Sequence, residues 1–431
     1  MHDAESVSEH SSRAPQSSPA QTTGPSSRRP SRRGRRPLDL RRARWAVSLL
    51  FWLNGASFCA ILPRYPEIFH QLDVSKTAFG LALGIGPVGG LLSGLAAASL
   101  MKRFGSARVA VAMQVVASTT HLAVYVSPSW LWLTAALMCA TAADALTDIA
   151  MNSHGMRVER RWGRSIMSSY HGWWSAGAVV GGLIGSQAAQ LHVPLAVQGG
   201  ACLVVFGALA LLSHRWMLPG ADTLEREAAG DGERAFTWAA LRGTAGRMIV
   251  LILALGVLLV AAGSTEDAGN SWGALYMTAA FGASPFLAGM AFTALQGAQM
   301  IGRFAGDAMA DVLGDRGTAR LGAVIAGVGM ALGLWIDTPV SAIIGFACAG
   351  WGVATLFPAV YRAADDMTGV AHGVGLTVVG WMARIGFFAS PPIVGALADA
   401  LSLSRALWLV PCYALGILLC AGALETRRSG R

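Results

Sequence analysis

TAADALTDIAMNSHGMRVERRWGRSIMSSYHGWWSAG, residues 141–177, is the stretch of sequence that decides the fold. It begins inside an apolar run, and Asp144, Asp148 and Asn152 follow at intervals of four residues. A helix places these three side chains on one face, with Thr141 one turn earlier. Carboxylates are costly inside a membrane-spanning helix and usually face a cavity that carries ions or substrate. The stretch therefore predicts a membrane helix that lines such a cavity.

The composition is that of a multi-spanning helical membrane protein. Of the 431 residues, 54% are hydrophobic, 13% are charged and 52 are glycine, which excludes an ordinary water-soluble chain of this length. The net charge of +9 comes from arginines in the loops between apolar runs, where they set topology, so we expect no nucleic-acid partner. The six cysteines lie in apolar runs without C-x-x-C spacing, so we expect no disulfide, metal site or cofactor.

Twelve apolar segments of about 20 residues follow one another from Trp45, each long enough to cross a membrane core of about 30 Å. The longest connection between them divides the segments into two sets of six. The sequence thus predicts an all-α membrane protein with twelve transmembrane helices in two pseudo-symmetric halves. The predicted order is a disordered basic tail at 1–43, a six-helix bundle at 44–213, a cytoplasmic linker at 214–245, a second six-helix bundle at 246–424 and a cytoplasmic tail at 425–431.

The basic residues concentrate in alternate loops, and this pattern predicts the orientation. One set of loops and ends is rich in arginine and lysine, at 102–103, 157–164, 215–247, 316–320, 362 and 427–428. The opposite loops hold only Arg64, Lys76 and Arg405. Because basic loops stay in the cytoplasm, we expect both termini to be cytoplasmic, in a multi-pass, monomeric protein of a bacterial inner membrane.

The two halves repeat each other in two places. MKRFGSAR at 101–108 corresponds to DVLGDRGTAR at 311–320, and the glycines of 177–185 correspond to the small residues of 386–395. Small residues at four-residue spacing let helices approach closely, so close packing is one interpretation. Repeated halves also indicate a pseudo-symmetric transporter whose site lies between the halves near the membrane midplane.

Four motifs of the sequence form a joint pattern. Residues 148–152 read D-I-A-M-N, and residues 159–172 match E-R-R-x-G-R-x-x-M-S-S-[FY]-H-G. Glu266 stands six residues before Trp272, and G-R-x-x-G-D occupies 302–307. This pattern resembles the major facilitator superfamily, and more narrowly its fucose-permease-like branch. The resemblance covers the chain from the first span to the twelfth, and it implies the major facilitator fold and secondary transport.

The resemblance also implies roles for single residues. Asp148 is similar to the glutamate that takes part in proton-coupled sugar uptake in the fourth span of the fucose permease. No acid stands near Cys59, where that permease carries a further aspartate, so sugar specificity is not implied. Gly182 replaces the proline of the drug-antiporter motif in the fifth span, which makes drug export less favoured.

Three acids are candidates for proton coupling: Asp148, Asp144 and Glu266. An alternative for Asp148 is a structural pair with Arg160 or Arg161 near the cytoplasmic gate. Glu266 lies in the polar, glycine-interrupted stretch STEDAGNSWG at 264–273. Irregular backbone at such depth is tolerated where it is buried or lines a cavity, and the alternative is a helix end with an interfacial tryptophan.

Candidate substrate-binding residues lie at several depths of the predicted spans: Asn54, Gln296 and Arg384 near the middle, His171 in the cytoplasmic half and Asn270 in the outer half. Arg384 stays charged, and Trp381 one turn earlier would let it hold a substrate by charge and stacking. The alternative is an ion pair between Arg384 and an acid that locks the two halves. His171 is either a proton relay or a packing histidine. The full predicted set is Asn54, His171, Trp173, Asn270, Gln296, Trp381 and Arg384.

Charged residues near the cytoplasmic ends of spans predict gates. Arg303, Asp307 and Asp311 follow one another at four-residue intervals and predict an ion-pair lock, and Arg160 and Arg161 are the candidates on the first half. No phosphate-binding glycine loop and no zinc-protease motif is present, so we expect no catalytic residue and no enzyme.

These patterns favour proton-coupled uptake of a small polar solute, sugar-like or an organic anion, by alternating access. The expected partners are the solute, protons and the lipid bilayer. Two alternatives stay open, a proton-antiport exporter of drugs or metabolites and a membrane sensor or scaffold that does not transport.

Overall fold

The computed structural model describes residues 38–163, 166–219, 246–365, 367 and 374–424, and every regular element among them is helical. Residues 1–37, 220–245 and 425–431, which hold most of the predicted tails and linker, lie outside the described residues. The first helix begins at Leu38, inside the predicted tail, and Ala43 is already buried. The first bundle therefore starts earlier than residue 44.

The first half is built of helices joined by short turns. Ser129 begins one of them, since its hydroxyl accepts the N–H of Trp132 at 3.3 Å, and Gly163 ends the same helix in the left-handed conformation. The elements are α1 Leu38–Cys59, a 3₁₀ turn Leu62–Arg64, α2 Tyr65–Leu72, α3 Lys76–Phe104, α4 Ser106–Tyr125, α5 Trp130–Trp162, α6 Met167–Gln190 and α7 Leu195–His214.

The second half repeats this pattern with a glycine in the matching turn. Gly314 has φ 73° and ψ 165° and bends α9 into two spans, while Gly105, with φ 83° and ψ 150°, separates α3 from α4. The predicted correspondence of these loops is therefore visible in the backbone. The elements are α8 Gly246–Phe281, α9 Pro285–Ile336, α10 Pro339–Val353, α11 Leu356–Asp365, α12 Val374–Ala400, α13 Leu403–Ala406, α14 Leu409–Cys420 and a 3₁₀ turn Ala421–Ala423.

Ten helical stretches of the described chain are long and apolar enough to cross a membrane. The other two spans are α6 and the first part of α9, which complete the twelve predicted transmembrane helices. Both are less apolar, since α6 is rich in glycine and serine and the first part of α9 contains Gln296 and Gln299. The fold is thus all-α, with two six-helix halves.

Glycines bring α6 against α1 at backbone distance. A methyl group at Gly177 would lie 2.1 Å from the carbonyl oxygen of Trp52, and one at Gly181 would lie 2.4 Å from that of Ala56. Any larger residue would push the helices apart, which confirms the predicted close packing of this glycine series.

Contacts between helix ends define two faces of the molecule. On one face, the Ser106 hydroxyl lies 3.0 Å from Nδ1 of His154, and Nε2 of His154 accepts the N–H of Leu218 at 3.3 Å. The Arg44 guanidinium lies 4.9 Å from the ring centre of Trp162 on the same face. We call it the tail face, because α1 begins there.

The opposite face, the far face, contains a buried arginine. The Arg64 side chain is fully buried, although the sequence places it in a loop. Its guanidinium donates to both carboxylate oxygens of Glu67 at 2.7 and 2.6 Å, to the carbonyl of Val193 at 2.7 Å and to Gln198. Gln198 in turn donates to the Tyr125 hydroxyl at 3.0 Å. This network fixes the chain between α1 and α2 on the first half.

The two halves meet along two seams, α3 with α12 and α6 with α9. In the first seam, a methyl group at Gly80 would lie 2.4 Å from the carbonyl oxygen of Pro391, and one at Gly84 would lie 2.5 Å from that of Phe388. These contacts belong to the far-face half of α3. Toward the tail face α3 and α12 diverge, because Leu95 and Trp381 both line the space between them and stay 82% and 50% exposed.

Candidate functional site

A cavity of about 640 Å³ lies between the two halves. Its walls come from α1, the 3₁₀ turn after it, α2, α3, α5 and α6 of the first half and from α8, α9 and α12 of the second. The polar and charged side chains that line it are Tyr65, Thr141, Asp148, Glu266, Asp267, Asn270, Ser271, Gln296 and Arg384, and the aromatic ones besides Tyr65 are Phe58, Trp174, Trp381, Phe387 and Phe388.

Glycines of α3 make room for the cavity and let α3 and α5 approach each other closely. A Cβ at Gly90 would lie 3.0 Å from the carbonyl oxygen of Thr141, and the Thr141 hydroxyl donates to the carbonyl of Gly86 at 2.5 Å. Gly86, Gly90 and Gly94 all line the cavity. The predicted face of Thr141 and Asp148 is thus turned toward this cavity.

Asp148 is exposed on the cavity wall of α5. Asn152 donates to its carboxylate and to its carbonyl oxygen, both at 2.9 Å. The alternative of a pair with Arg160 or Arg161 is wrong, because α5 is continuous and twelve residues along a helix span about 18 Å. Asp148 therefore faces the space between the halves rather than a gate arginine of its own helix.

Asp144 belongs to a network beside the cavity. The side-chain amide of Asn54 donates to the Asp144 carboxylate at 2.6 Å. The indole N–H of Trp174 donates to the side-chain amide oxygen of Asn54 at 2.8 Å. Asn54 is buried and Asp144 half-buried, and of the three only Trp174 lines the cavity. The network thus connects Asp144 to the cavity through one amide and one indole.

The far end of the cavity carries two neighbouring acids on α8. Gln299 donates to Glu266 at 3.0 Å, and the Ser271 hydroxyl donates to one oxygen of Asp267 at 2.6 Å. The other oxygen of Asp267 is buried and has no hydrogen-bond partner among the described residues. Asp267 is absent from the predicted coupling acids, although its place beside Glu266 in an apolar span is a signal in the sequence.

The expectation of irregular backbone around Glu266 is wrong. α8 continues as a regular helix through residues 264–273. The alternative of an interfacial Trp272 is also wrong, since this side chain is fully buried with its ring 6.2 Å from that of Phe79. The polar residues are tolerated because hydrogen bonds within the second half bind them: Gln296, for example, donates to Asn270 at 3.1 Å.

Arg384 lies exposed on the cavity wall of α12. Its guanidinium carbon is 6.0 Å from the ring centre of Trp381, and it donates to the carbonyl of Gly380 at 3.4 Å. Within the described residues no carboxylate forms an ion pair with it. Among the residues that the structure describes, Arg384 thus takes part in no ion pair that locks the halves.

Three of the predicted binding residues lie outside the cavity lining. Asn54 is buried in the network described above. His171 packs at the edge of Phe51, with ring centres 5.3 Å apart, and Trp173 contacts Trp45 with ring centres 5.8 Å apart. These two side chains therefore pack against α1 instead of lining the cavity.

The predicted gate residues are distributed along the tail face. Arg303 donates to the Ser175 hydroxyl of the other half at 3.2 Å. The side chain of Asp307 lies outside the described residues, and Asp311 is exposed. Among the described residues of this loop region, Arg362 forms an ion pair with Asp315 at 2.9 Å. Arg160 and Arg161 are exposed at the end of α5.

The chain is similar to known membrane proteins in sequence. The model of the Major Facilitator Superfamily matches residues 257–428. The membrane protein MosC of Rhizobium meliloti is 26% identical over 392 residues, which cover 90% of this chain and 91% of that protein. An MFS-type transporter of Yersinia pestis is 26% identical over 382 residues, which cover 88% of this chain and 94% of that protein.

Solved transporters share the fold. The nucleoside transporter NupG matches with a TM-score of 0.69 at 11% sequence identity, over 88% of this chain and 98% of NupG. A bacterial homologue of the human lysosomal transporter Spinster, in an inward-facing and unoccupied conformation, matches with a TM-score of 0.68 at 15% identity, over 92% of this chain and all of that one. Together, the fold, the family match and the relatives support a multi-pass membrane transporter with the major facilitator fold.

Proposed function

We propose that this protein is a proton-coupled secondary transporter that takes up a small polar solute by alternating access, and that it has no enzymatic activity. The observation that carries the proposal is the cavity between the halves. It is bounded on the far side by close seams, and it is lined by carboxylates from both halves and by one guanidinium. Intramembrane ionisable groups of this kind mark substrate and proton paths.

The acids divide into two levels of the cavity. Asp148 on the first half lies toward the tail face, and Glu266 and Asp267 on the second half lie toward the far face. The resemblance of residues 148–152 to the fucose permease motif supports Asp148 as the main coupling group. Asp144, which reaches the cavity only through Asn54 and Trp174, has a supporting role in this proposal.

The solute would bind between Arg384 and the amide pair of Asn270 and Gln296. A guanidinium beside an indole ring binds planar or anionic groups by charge and stacking. The amides provide donors and acceptors for hydroxyl groups. This combination supports a sugar-like solute or an organic anion.

The tail face is cytoplasmic in this proposal, and the protein is a monomer in a bacterial inner membrane. The distribution of basic residues supports this orientation. On the far face, Arg64 is buried against Glu67 and Lys76 lies 3.5 Å from Asp399, so the unbalanced charge of that face is small. Fusions of a reporter enzyme that is active only in the cytoplasm, placed after Pro219 and after Lys76, test this orientation. We expect activity of the reporter after Pro219 and none after Lys76.

The transport proposal is tested with purified protein in liposomes. Uptake of labelled sugars, polyols, nucleosides and organic acids is measured with and without an inward proton gradient. We expect one polar class to accumulate only with the gradient, and we expect Asp148→Asn to abolish this accumulation while Asp337→Asn, a change in an exposed turn far from the cavity, leaves it intact.

Other results would contradict parts of the proposal. A solute that is driven out of the liposomes by the same gradient would make the protein an exporter. Accumulation that survives in Asp148→Asn but disappears in Asp267→Asn or Glu266→Gln would move the coupling group to α8. No accumulation of any class would contradict transport of a small polar solute.

A further inference from the structure

A second cavity, of about 750 Å³, lies at the tail face within the first half. It is bounded by the first turn of α1, the turn between α3 and α4, and the segment that follows α7. Its volume is within the range of about 300–1,000 Å³ that is usual for ligand sites. The lining residues are Asp39, Arg42, Met101, Lys102, Arg103, Phe104, Gly105, Ala107, Arg108, His214, Arg215, Trp216, Met217, Leu218 and Pro219.

The charge of this cavity is strongly positive. Arg42, Lys102, Arg103, Arg108 and Arg215 line it and are all exposed, and Asp39 is the one carboxylate in the lining. Among the described residues, none of these five cations forms an ion pair with a carboxylate. A concave site lined by one sign of charge concentrates the opposite ion, so the ligand is an anion.

In the matching turn of the second half, Arg362 and Arg316 bond to groups of the protein itself. In that turn Asp315 pairs with Arg362 at 2.9 Å. Arg316 donates to the carbonyls of Leu424 and Gly422 at 3.0 and 2.7 Å. The second half thus binds its own basic side chains, whereas the first half leaves its basic side chains in an open cavity.

The cavity adjoins the surface that faces lipid. Phe104 and Trp216 line it and are exposed, and Leu211 and Leu212 are exposed on the last turns of α7 beside it. Tryptophan is typical of the membrane interface, and leucines at this depth contact acyl chains. We propose that this cavity binds the phosphate headgroup of an anionic phospholipid, with the lipid chains lying against α7.

The proposal is tested by thermal unfolding of the full-length protein in detergent during titration with phosphatidylglycerol. Phosphatidylcholine and inorganic phosphate are titrated in parallel. We expect only phosphatidylglycerol to raise the Tm in a saturable way. One basic residue near a membrane surface contributes about 1 kcal/mol, or about five-fold in affinity, so Arg108→Gln should raise the half-saturating concentration about five-fold, and Arg108→Gln with Arg215→Gln about 25-fold.

Arg320→Gln is the matched control, because Arg320 is exposed at the corresponding turn of the second half and lies outside this cavity. Its half-saturating concentration should equal that of the unchanged protein. Equal responses of the control and of Arg108→Gln would overturn the proposal. So would equal shifts with phosphatidylcholine, and an equal shift with inorganic phosphate would identify a site for free anions instead of lipid.

Discussion

The two seams between the halves begin at the far face with the same local structure but different chemistry. α3 and α9 both start with a serine cap: Ser75 accepts the N–H of Ala78 at 3.1 Å, and Ser284 accepts the N–H of Leu287 at 3.5 Å. In both, a side chain from the other half binds a further N–H of the first helical turn. The pseudo-symmetry of the halves therefore extends to the way in which each caps a helix of the other.

The capping side chain is a carboxylate in one seam and an amide in the other. Asp399 of α12 accepts the N–H groups of Lys76 and Thr77 at 3.1 and 2.7 Å, and the Thr77 hydroxyl at 2.7 Å. Gln190 of α6 accepts only the N–H of Phe286, at 3.2 Å. Hydrogen bonds to charged groups are about twice as strong as neutral ones, so the α3–α12 cap is the stronger.

The atoms that lie opposite the glycines also indicate that the α3–α12 seam is the more rigid of the two. The atoms that face Gly80 and Gly84 across the α3–α12 seam include backbone carbonyl oxygens, whereas the ring of Phe292 faces Gly182 and the hydroxyl of Ser186 faces Gly289 across the α6–α9 seam. Side chains can rotate and backbone cannot. The α3–α12 seam is thus a rigid contact between backbones, whereas the side chains of the α6–α9 seam can rearrange when the halves move.

The largest effect is expected from adding one methyl group to each seam. In Gly84→Ala the new Cβ would lie 2.5 Å from the carbonyl oxygen of Phe388, and overpacking of this kind costs about 1–3 kcal/mol. In Gly182→Ala the nearest atoms belong to the ring of Phe292, at 2.6 and 2.7 Å, and this side chain can shift. We expect a clear loss of Tm and faster amide exchange in residues 78–90 for the former and a smaller loss for the latter. Equal losses would show that the seams do not differ in rigidity.

Removal of the caps should have an intermediate effect. Loss of a capping side chain costs about 1 kcal/mol, so Asp399→Ala should speed amide exchange at Lys76 and Thr77 about five-fold. Asp399→Asn keeps an acceptor and should have less effect. Gln190→Ala removes a single neutral bond, and exchange at Phe286 should change less than in Asp399→Ala. A larger change in Gln190→Ala would reverse the order of the two seams.

The smallest effect is expected at the tail end of the α6–α9 seam. Ser175→Ala removes the hydrogen bond from Arg303, whose side chain is exposed. Water can replace this partner, so the cost should be at most about 0.5 kcal/mol. Thermal unfolding measures it, with Gly172→Ala as the comparison, since a Cβ there would meet the Phe304 ring at 3.1 Å. A Tm loss in Ser175→Ala as large as in Asp399→Ala would show that this hydrogen bond stabilises the contact between the halves as strongly as the Asp399 cap does.

The sequence was sufficient to predict the fold because its signals are local. Apolar runs of spanning length, and the repeat around Gly105 and Gly314, are properties of single segments. The face of Asp148 toward a cavity follows from helical periodicity in the same way. The glycines and serines of α6 make it less apolar than the other spans, but its length still predicts a span.

The site was predicted less well because it depends on contacts between distant segments. Periodicity places Trp173 and Trp174 in the same span, but only the packing of α6 on the second half decides which of them reaches the cavity. Asp399 has no signal of its own, since its partners are about three hundred residues away in the chain. The sequence indicates Arg384 by its depth, whereas its contacts with the described residues depend on how far the halves have separated.

The buried pair of Arg64 and Glu67 has a consequence for membrane insertion. In the proposed orientation the segment between α1 and α3 must cross the membrane during biogenesis. Arg64 and Glu67 are three residues apart and bound to each other, so this segment can cross with its charges neutralised before the rest of the first half has formed. The arginine then counts little as a topological signal, and the basic residues of the tail face, among them Arg42, Lys102 and Arg103, determine the orientation of the first hairpin.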